Sequence, residues 1–367
     1  MNESYENQKM LTCIGNKRRL LSNIKKLIED EIFPSIKKDK LNILDGFSGS
    51  SVVSRALSQY CENIYSNDIE KYSYIMTYCF LVKPNMLDQE RIKYHIDTMN
   101  KIAENGPYYS GVVTRLYSPE DTDNPKKDER CFYTKENALI IDTLRKYIDD
   151  NVETELFNYC ITPLLIKASI HVNTSGVFRG FHKNKETKIG SWGGTKGNDL
   201  GRIKGTIKLE MPIWSNYEFN STIYNSDINK VIEEVPEDID IIYYDPPYSE
   251  APYGSNYFML NVIIENKAED ISRVSGIPKK WIRSEYNYPK TAVDSIKDLI
   301  KKSIEKTKYI ILSYNNEGII SLKEWEEIFK LYNVKKYEFN YDKFKGSKNL
   351  KNRENKVVEI MYVISKK

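Results

Sequence analysis

The sequence feature that most constrains the fold is an apolar run that ends abruptly in two prolines. The run Ile239–Tyr244 is interrupted only by Asp240, and Asp245-Pro246-Pro247-Tyr248 follows it directly. A short apolar run rich in isoleucine and tyrosine is typical of a strand that is buried on both faces of a parallel sheet. Because proline cannot donate to a strand ladder, the strand must end there and the chain must turn. The sequence therefore predicts an α/β protein with Asp245 at the carboxyl end of a buried strand.

The same tetrapeptide carries groups that suit one kind of ligand. In open α/β sheets, ligands bind at the carboxyl ends of the strands. A planar ring with an amino group can donate hydrogen bonds to Asp245 and to the Pro246 carbonyl, and it can stack on Tyr248. A nucleobase has this chemistry. The other interpretation of Tyr248 is a ring that only packs beside the turn.

A second strand-and-turn unit lies near the amino terminus. We predict strands at 41–45 and 63–67, with a helix over 51–60 between them. The loop after the first strand consists of small residues around Phe47, and Asp68 follows the second strand. The spacing of the loop fits neither the GxGxxG motif of dinucleotide-binding proteins nor a phosphate-binding loop that ends in GKS or GKT.

The loop and the acid outline a cofactor site. Glycines let a ligand approach the backbone closely, and a helix amino terminus favours a carboxylate. Asp68 can accept hydrogen bonds from both hydroxyls of a ribose. A carboxylate plus a ribose is the outline of S-adenosylmethionine; an ordinary strand-helix turn explains the loop equally well when it is taken alone. The loop residues predicted to bind this cofactor are Asp45, Phe47, Ser48, Gly49 and Ser50.

The middle of the chain differs in character from both ends. Amphipathic segments at 87–103 and 135–147 predict helices, and polar loops separate them. The segment 174–205 is rich in glycine and in basic residues. We interpret residues 81–221 as an inserted, mainly helical and loop-rich recognition domain. Residues 1–80 and 222–367 then form the catalytic domain.

Two basic stretches indicate a partner that carries phosphates. Residues 179–208 contain eight basic and two acidic side chains, and residues 341–356 contain six and two, although the whole chain has a net charge of only +3. Clustered cations are typical of surfaces that bind a nucleic-acid backbone. A solvated surface loop is the alternative for either stretch alone. The candidate contacts are Arg179, Lys183, Lys196, Arg202, Lys343 and Lys345.

The order of these motifs resembles that of the Dam-like alpha group of N6-adenine DNA methyltransferases, and especially the members that accompany type IIS restriction enzymes. The segment Cys13-Ile14-Gly15-Asn16-Lys17 is similar to the family's amino-terminal cofactor motif, and Asn225-Ser226-Asp227 is similar to its third motif. The loop after Asp45 resembles its first motif, and Asn67-Asp68-Ile69-Glu70 resembles its second. The Asp245 tetrapeptide matches its fourth motif, which is the most specific of the set.

The resemblance implies a doubly wound, Rossmann-like methyltransferase sheet with a target-recognition domain between its second and third motifs. It implies S-adenosylmethionine as the methyl donor and an adenine flipped out of double-stranded DNA as the acceptor. Asp245, Pro246 and Tyr248 are then catalytic, and Tyr248 also contacts the DNA. The further cofactor-binding residues that it implies are Ile14, Gly15, Lys17, Asp68, Ile69, Asp227 and Asp245.

Some positions keep two interpretations. Asp227 can cap the helix that follows it as well as bind the cofactor. Asn16 and Ser51 stand where the family often has glycine, which affects the detailed contacts rather than the activity. The alternative functions are methylation of cytosine N4 or of adenine in RNA, and a catalytically silent DNA-binding protein. Serine is common at the position of Asp245 in cytosine-N4 enzymes, so the aspartate favours adenine.

Composition and cysteine spacing complete the sequence-based expectations. The chain has no apolar run long enough to cross a membrane, and residues 1–10 lack the core of a signal peptide. Its five cysteines are scattered and show no metal-binding spacing, which favours a reduced, cytoplasmic protein without a metal site. The expected partners are double-stranded DNA and a cognate restriction endonuclease, and the expected oligomeric state is a monomer.

Overall fold

The computed structural model describes residues 5, 6, 8, 10, 11, 15–194, 197–342 and 356–367. Its strands are β1 Leu41–Asp45, β2 Cys61–Asn67, β3 Asn220–Tyr224, β4 Ile239–Tyr244, β5 Thr307–Asn315, β6 Tyr332–Asp342 and β7 Lys356–Lys366. The helices that precede the predicted inserted region or reach its boundary are α1 Leu21–Leu27, α2 Phe33–Ile36, α3 Val52–Leu57 and α4 Lys71–Leu81. The inserted region contains α5 Met86–Asn105, α6 Val112–Tyr117, α7 Lys135–Asn151, α8 Phe157–His171 and α9 Leu200–Lys204. The remaining helices are α10 Ile228–Glu234, α11 Tyr253–Asn256, α12 Phe258–Glu265, α13 Pro289–Ser303 and α14 Leu322–Phe329.

In the part of the chain that the structure describes, seven strands form one sheet in the order β3-β2-β1-β4-β5-β7-β6. The strands β1 to β5 are parallel, and β7 lies antiparallel between β5 and β6. The chain continues from β1 to β2 on one side and from β4 to β5 on the other, so the strand order reverses between β1 and β4. Such a switch point leaves a crevice at the carboxyl ends of the strands. The predicted doubly wound, Rossmann-like sheet is confirmed.

Alternation along the strands gives the sheet two apolar faces. Ile43 and Ile241 pack on one face with α1 and α3. Their neighbours Leu44 and Ile242 pack on the other face with α10, α13 and α14. Successive side chains of a strand point to opposite faces, so a run that is apolar throughout must be covered on both sides. These two layers hold the loops at the carboxyl edge of the sheet in place.

The region between β2 and β3 is a helical layer with its own core. Helices α4, α5, α7 and α8 share one apolar cluster with α12. Helices α4 and α8 were not predicted from the sequence, because both are apolar over most of their surface and lack a clear polar face. The boundary at residues 81–221 stays a prediction, since α12 lies beyond it and packs into the same core. None of the described helices is long and apolar enough to span a membrane.

Strand β6 was not predicted from the sequence. The pattern of residues 324–332 predicts a helix that runs to Tyr332, whereas α14 ends at Phe329 and β6 begins at Tyr332. Strand β6 pairs with β7 and lies at the edge of the described sheet. An edge strand tolerates charged side chains such as Lys335 and Lys336. These charges interrupt the apolar pattern by which a strand is predicted from a sequence.

Candidate active site

The carboxyl ends of β1, β2 and β4 open onto one cleft. Its empty volume, including the part open to solvent, is about 980 Å³. The predicted cofactor residues that line it are Gly15, Lys17, Phe47, Ser48, Gly49, Ser50, Asp68, Ile69, Asp227 and Asp245. Asp45 lies buried at the end of β1. The sheet therefore gathers residues that are spread over most of the chain.

The loop between β1 and α3 depends on two small residues and one strained residue. A side chain at Gly46 would meet the ring of Tyr244, with its Cβ 2.4 Å from Cε1. Gly49 has a φ of +52°, and no described atom lies within 4 Å of where its Cβ would be. Ser51 has a φ of +57° and is completely buried. The backbone at Gly49 is thus accessible to a ligand, as the sequence predicted.

Asp68 joins this loop to the end of β2. Its carboxylate accepts the backbone N–H of Gly49 at 2.7 Å and that of Glu70 at 2.8 Å. Burial raises the pKa of Asp68, and these two hydrogen bonds oppose the rise. Asp68 also lines the cleft, and its hydrogen bonds to the hydroxyls of a ribose stay a prediction.

Asp45 places a second carboxylate beneath the loop. Its Oδ2 accepts the hydroxyl of Ser54 at 2.6 Å, and its Oδ1 has no hydrogen-bond partner among the described residues. Burial raises the pKa of Asp45 to about 7; the Ser54 hydrogen bond opposes this rise and the charge of Asp245 adds to it. A buried carboxylate oxygen without a partner is typical of a functional site, where a cationic ligand would stabilise its charge.

The opposite wall of the cleft combines an aromatic surface with a helix end. The rings of Phe47 and Tyr286 meet edge to face, with their centroids 5.2 Å apart. Asp227 accepts the N–H of Asn229 at 2.8 Å and caps α10, so the cap interpretation is confirmed. Asp227 also lines the cleft, and its role in cofactor binding stays a prediction.

Asp245 belongs to a buried ionic network at the end of β4. Lys17 Nζ lies 2.8 Å from its Oδ1 and 2.7 Å from its Oδ2, and the Tyr248 hydroxyl also donates to Oδ1. Glu359, on β7, lies 2.7 Å from the Tyr248 hydroxyl oxygen and 3.1 Å from Lys17 Nζ, so the single hydroxyl proton of Tyr248 can be donated to either carboxylate but not to both at once. Burial raises the pKa of Asp245 to about 6; the Lys17 charge opposes the rise and the Glu359 charge adds to it.

Comparison with known proteins identifies the family. The model of the D12 class N6 adenine-specific DNA methyltransferases matches residues 14–328, which is most of the chain. The chain belongs to this family. The predicted family resemblance is therefore confirmed.

Three relatives show how much of the D12-class chain is shared. Modification methylase StsI of Streptococcus sanguinis is 28% identical over 375 residues, which cover 96% of this chain and 52% of StsI. Type II methyltransferase M.FokI of Planomicrobium okeanokoites is 29% identical over 350 residues, which cover 91% and 49%. Type II methyltransferase M.NlaIII of Neisseria lactamica is 25% identical over 367 residues, which cover 97% and 99%. The chain thus spans about half the length of the first two relatives and nearly all of the third.

In this D12-class chain, the ring of Tyr248 is half-buried beside Asp245. It packs edge to face against Tyr314, with the centroids 5.1 Å apart, and Lys17 Nζ lies 4.8 Å from its centroid. Pro246, which follows Asp245 in the chain, is buried. The structure thus shows Tyr248 as a ring packed beside the turn, and its stacking on a base stays a prediction.

The basic residues predicted to contact DNA occupy different environments. Arg179 and Lys183 are exposed, and Lys183 Nζ lies 4.6 Å from the ring centroid of Phe181. The Arg202 guanidinium instead donates to three backbone carbonyls in and just beyond α8, which favours a scaffolding role. The DNA contacts of all three stay predictions. The predicted site residues that lie outside the described residues are Ile14, Lys196, Lys343 and Lys345.

Two parts of the site were not predicted from the sequence. The segment 282–287 lines the cleft through Ile282, Ser284, Tyr286 and Asn287. Asn287 Nδ2 donates to the carbonyl of Ser249 at 2.8 Å, which ties this segment to the chain just beyond the tetrapeptide. Glu359 is the other part. Neither carries a local motif, so only the folded chain reveals them.

Proposed function

We propose that this protein transfers a methyl group from S-adenosylmethionine to N6 of an adenine at a specific sequence in double-stranded DNA. The observation that carries the proposal is the position of Asp245. It lies at the carboxyl end of β4, in the same cleft as Asp68 and the loop after β1. Membership of the D12 class supports the same chemistry.

The residues of the cleft suit S-adenosylmethionine. Asp68 would accept the ribose hydroxyls, and the negative charge of Asp45 would stabilise the ammonium of the amino-acid part. Phe47 and Tyr286 would provide an apolar wall for the adenine ring of the cofactor. When bound, the cofactor supplies a methyl group that the sulfonium has already activated.

The chain's own residues would prepare the acceptor nitrogen. The amino group of adenine is a poor nucleophile because its lone pair is delocalised into the ring. Asp245 and the Pro246 carbonyl would accept its two N–H groups and hold the nitrogen closer to tetrahedral geometry. An ionised Asp245 would also stabilise the positive charge that develops on this nitrogen during transfer.

Duplex DNA adds a requirement, because pairing and stacking hide the amino group. Taking the base out of the helix costs about a few kcal/mol. Stacking on Tyr248 would return roughly 1–3 kcal/mol, once the ring presents its face to the base. The exposed Arg179 and Lys183 would neutralise phosphates of the flanking backbone.

We also propose a biological setting. The three relatives are a modification methylase and two type II methyltransferases, which supports a partnership with a restriction endonuclease. The described cysteines at 61, 79, 131 and 160 are all free and buried, which supports a reduced, cytoplasmic location. A monomer remains the expected oligomeric state.

The proposal is tested by incubating the protein with unmethylated duplex DNA and methyl-labelled S-adenosylmethionine, followed by digestion to nucleosides. The expected product is labelled N6-methyladenine, and an RNA of the same sequence is the control acceptor. Label in N4-methylcytosine, label only in the RNA, or no label at all would contradict the proposal. Calorimetry with S-adenosylmethionine then separates a silent DNA-binding protein, which need not bind the cofactor, from an enzyme.

A further inference from the structure

Glu359 is a buried carboxylate that lies outside every motif named above. Its side chain is 0% exposed. It stands on β7 opposite Asn315 of β5, so only β5 separates it from the end of β4. It accepts the hydroxyl of Ser313 at 2.5 Å, and it lies 2.7 Å from the Tyr248 hydroxyl oxygen and 3.1 Å from Lys17 Nζ.

The charge of the network depends on Glu359. One lysine, Lys17, is shared between the carboxylates of Asp245 and Glu359. With all three groups ionised, the network carries a single negative charge. Without Glu359, the remaining pair of Lys17 and Asp245 would be neutral. A neutral pair stabilises a developing positive charge on the target nitrogen less well than a net negative one.

Glu359 can also free Asp245 to accept the target amino group. In this structure Lys17 donates to both oxygens of Asp245, and Tyr248 donates to one of them. An amino group that binds Asp245 must compete with these donors. Both donors already contact Glu359, so both can shift to it without movement of the backbone. Leaving a buried ammonium or hydroxyl without an acceptor would be costly.

We propose that Glu359 is a positioning residue for methyl transfer. It takes the Lys17 ammonium and the Tyr248 hydroxyl when the target amino group occupies Asp245, and it keeps the network negatively charged. This inference rests on the proposed function and extends it to a residue on β7.

The first test compares Glu359→Gln with the wild type in single-turnover methyl transfer to duplex DNA. Glutamine keeps the size of the side chain and one acceptor oxygen but removes the charge. We expect the transfer rate to fall roughly 10- to 100-fold, as is usual when reacting groups are misplaced. We expect the S-adenosylmethionine affinity measured by calorimetry to change much less than the rate, because Glu359 lies behind Lys17 and Tyr248 and not among the residues that line the cleft.

The pH profile separates this role from a purely structural one. The charged and titratable groups that face Asp245 are Lys17, Tyr248, Glu359, Asp45 and Tyr243. Removing the negative charge of Glu359 lowers the pKa of Asp245, so the acid limb of the rate should move to lower pH. Removing the positive charge with Lys17→Met should move the same limb to higher pH. Opposite shifts are therefore the expected signature.

Asp240→Asn is the matched control. Asp240 is also a buried carboxylate on β4, and it pairs with Lys38 at 2.8 Å, but it lies at the opposite end of the strand. Its replacement should lower the free energy of unfolding and leave the transfer rate and the acid limb unchanged. If Asp240→Asn moved the acid limb as Glu359→Gln does, the shift would report general loss of charge rather than positioning.

The inference is overturned if Glu359→Gln folds and transfers methyl groups at the wild-type rate, or if its acid limb stays in place. Should Glu359→Gln fail to fold, Ser313→Ala takes its place, because it removes one donor to Glu359 and leaves both carboxylates. A reduced rate in Ser313→Ala with unchanged cofactor affinity supports the inference, and a wild-type rate overturns it. Failure of the proposed function looks different, since the wild type itself would then methylate no adenine.

Discussion

Replacing Ser51 with glycine should stabilise the protein, because the backbone there has a conformation that suits glycine. Ser51 has a φ of 57° and a ψ of 16°, in the left-handed region. This region costs a residue with a side chain about 1–2 kcal/mol. The Ser51 hydroxyl is buried and has no hydrogen-bond partner among the described residues, which can cost about 1–3 kcal/mol more.

One effect opposes this gain. Glycine has more freedom in the unfolded chain, which reduces the benefit by about 0.4–1 kcal/mol. The expected net result is an increase of about 1–4 kcal/mol in the free energy of unfolding. For a chain of this length, the usual entropy of unfolding per residue converts that into only about 1–5 °C in Tm. The midpoint of urea unfolding, at an unchanged m value, is therefore the better measurement.

Two variants separate the contributions at Ser51. Ser51→Ala removes the hydroxyl but keeps a side chain in the left-handed conformation. It should therefore raise the free energy of unfolding by less than Ser51→Gly does. Ser50→Gly changes a neighbouring buried serine that is not among the residues with positive φ, and it should destabilise the protein. If Ser51→Gly were no more stable than the wild type, or if Ser50→Gly stabilised equally, backbone strain at Ser51 would be refuted.

Four further predictions concern the site and the DNA surface. Asp245→Asn should lower the single-turnover rate roughly 100-fold or more with little change in cofactor affinity, and a surviving wild-type rate would contradict its role. In the wild type, the rate should decline as the pH falls through about 6, because burial raises the pKa of Asp245 and protonation removes the acceptor. Asp68→Asn should weaken cofactor binding, measured by calorimetry, roughly 10- to 100-fold, since a hydrogen bond to a charged group contributes about 1.5–3 kcal/mol. An unchanged affinity would show that Asp68 does not bind the cofactor. Arg179→Ala and Lys183→Ala should each reduce, by about 0.9, the steepness with which log K for DNA binding falls against log salt concentration. The control is Lys93→Ala, at an exposed lysine on α5, which should leave this slope unchanged. Equal slopes in all variants would place both residues outside the interface.

Local patterns predicted the elements that carry the site. Strands β1 and β4 begin and end where the apolar runs do, and the strand ends follow from the glycine after Asp45 and the proline after Asp245. Side-chain alternation and proline chemistry act over a few residues, so a sequence reveals them directly. The charged edge strand β6 and the apolar helix α8 lack such patterns, because pairing and burial by distant elements determine them.

The amino-acid sequence by itself determined which acids stand at strand ends, and hence the kind of chemistry the cleft supports. Only the tertiary structure decided how those acids are paired. Lys17, Asp245 and Glu359 come from three widely separated parts of the chain, and they meet because the sheet places β7 next to β5. The protonation of a buried carboxylate depends on its nearest charges, and those neighbours follow from strand order and register rather than from any local stretch of sequence.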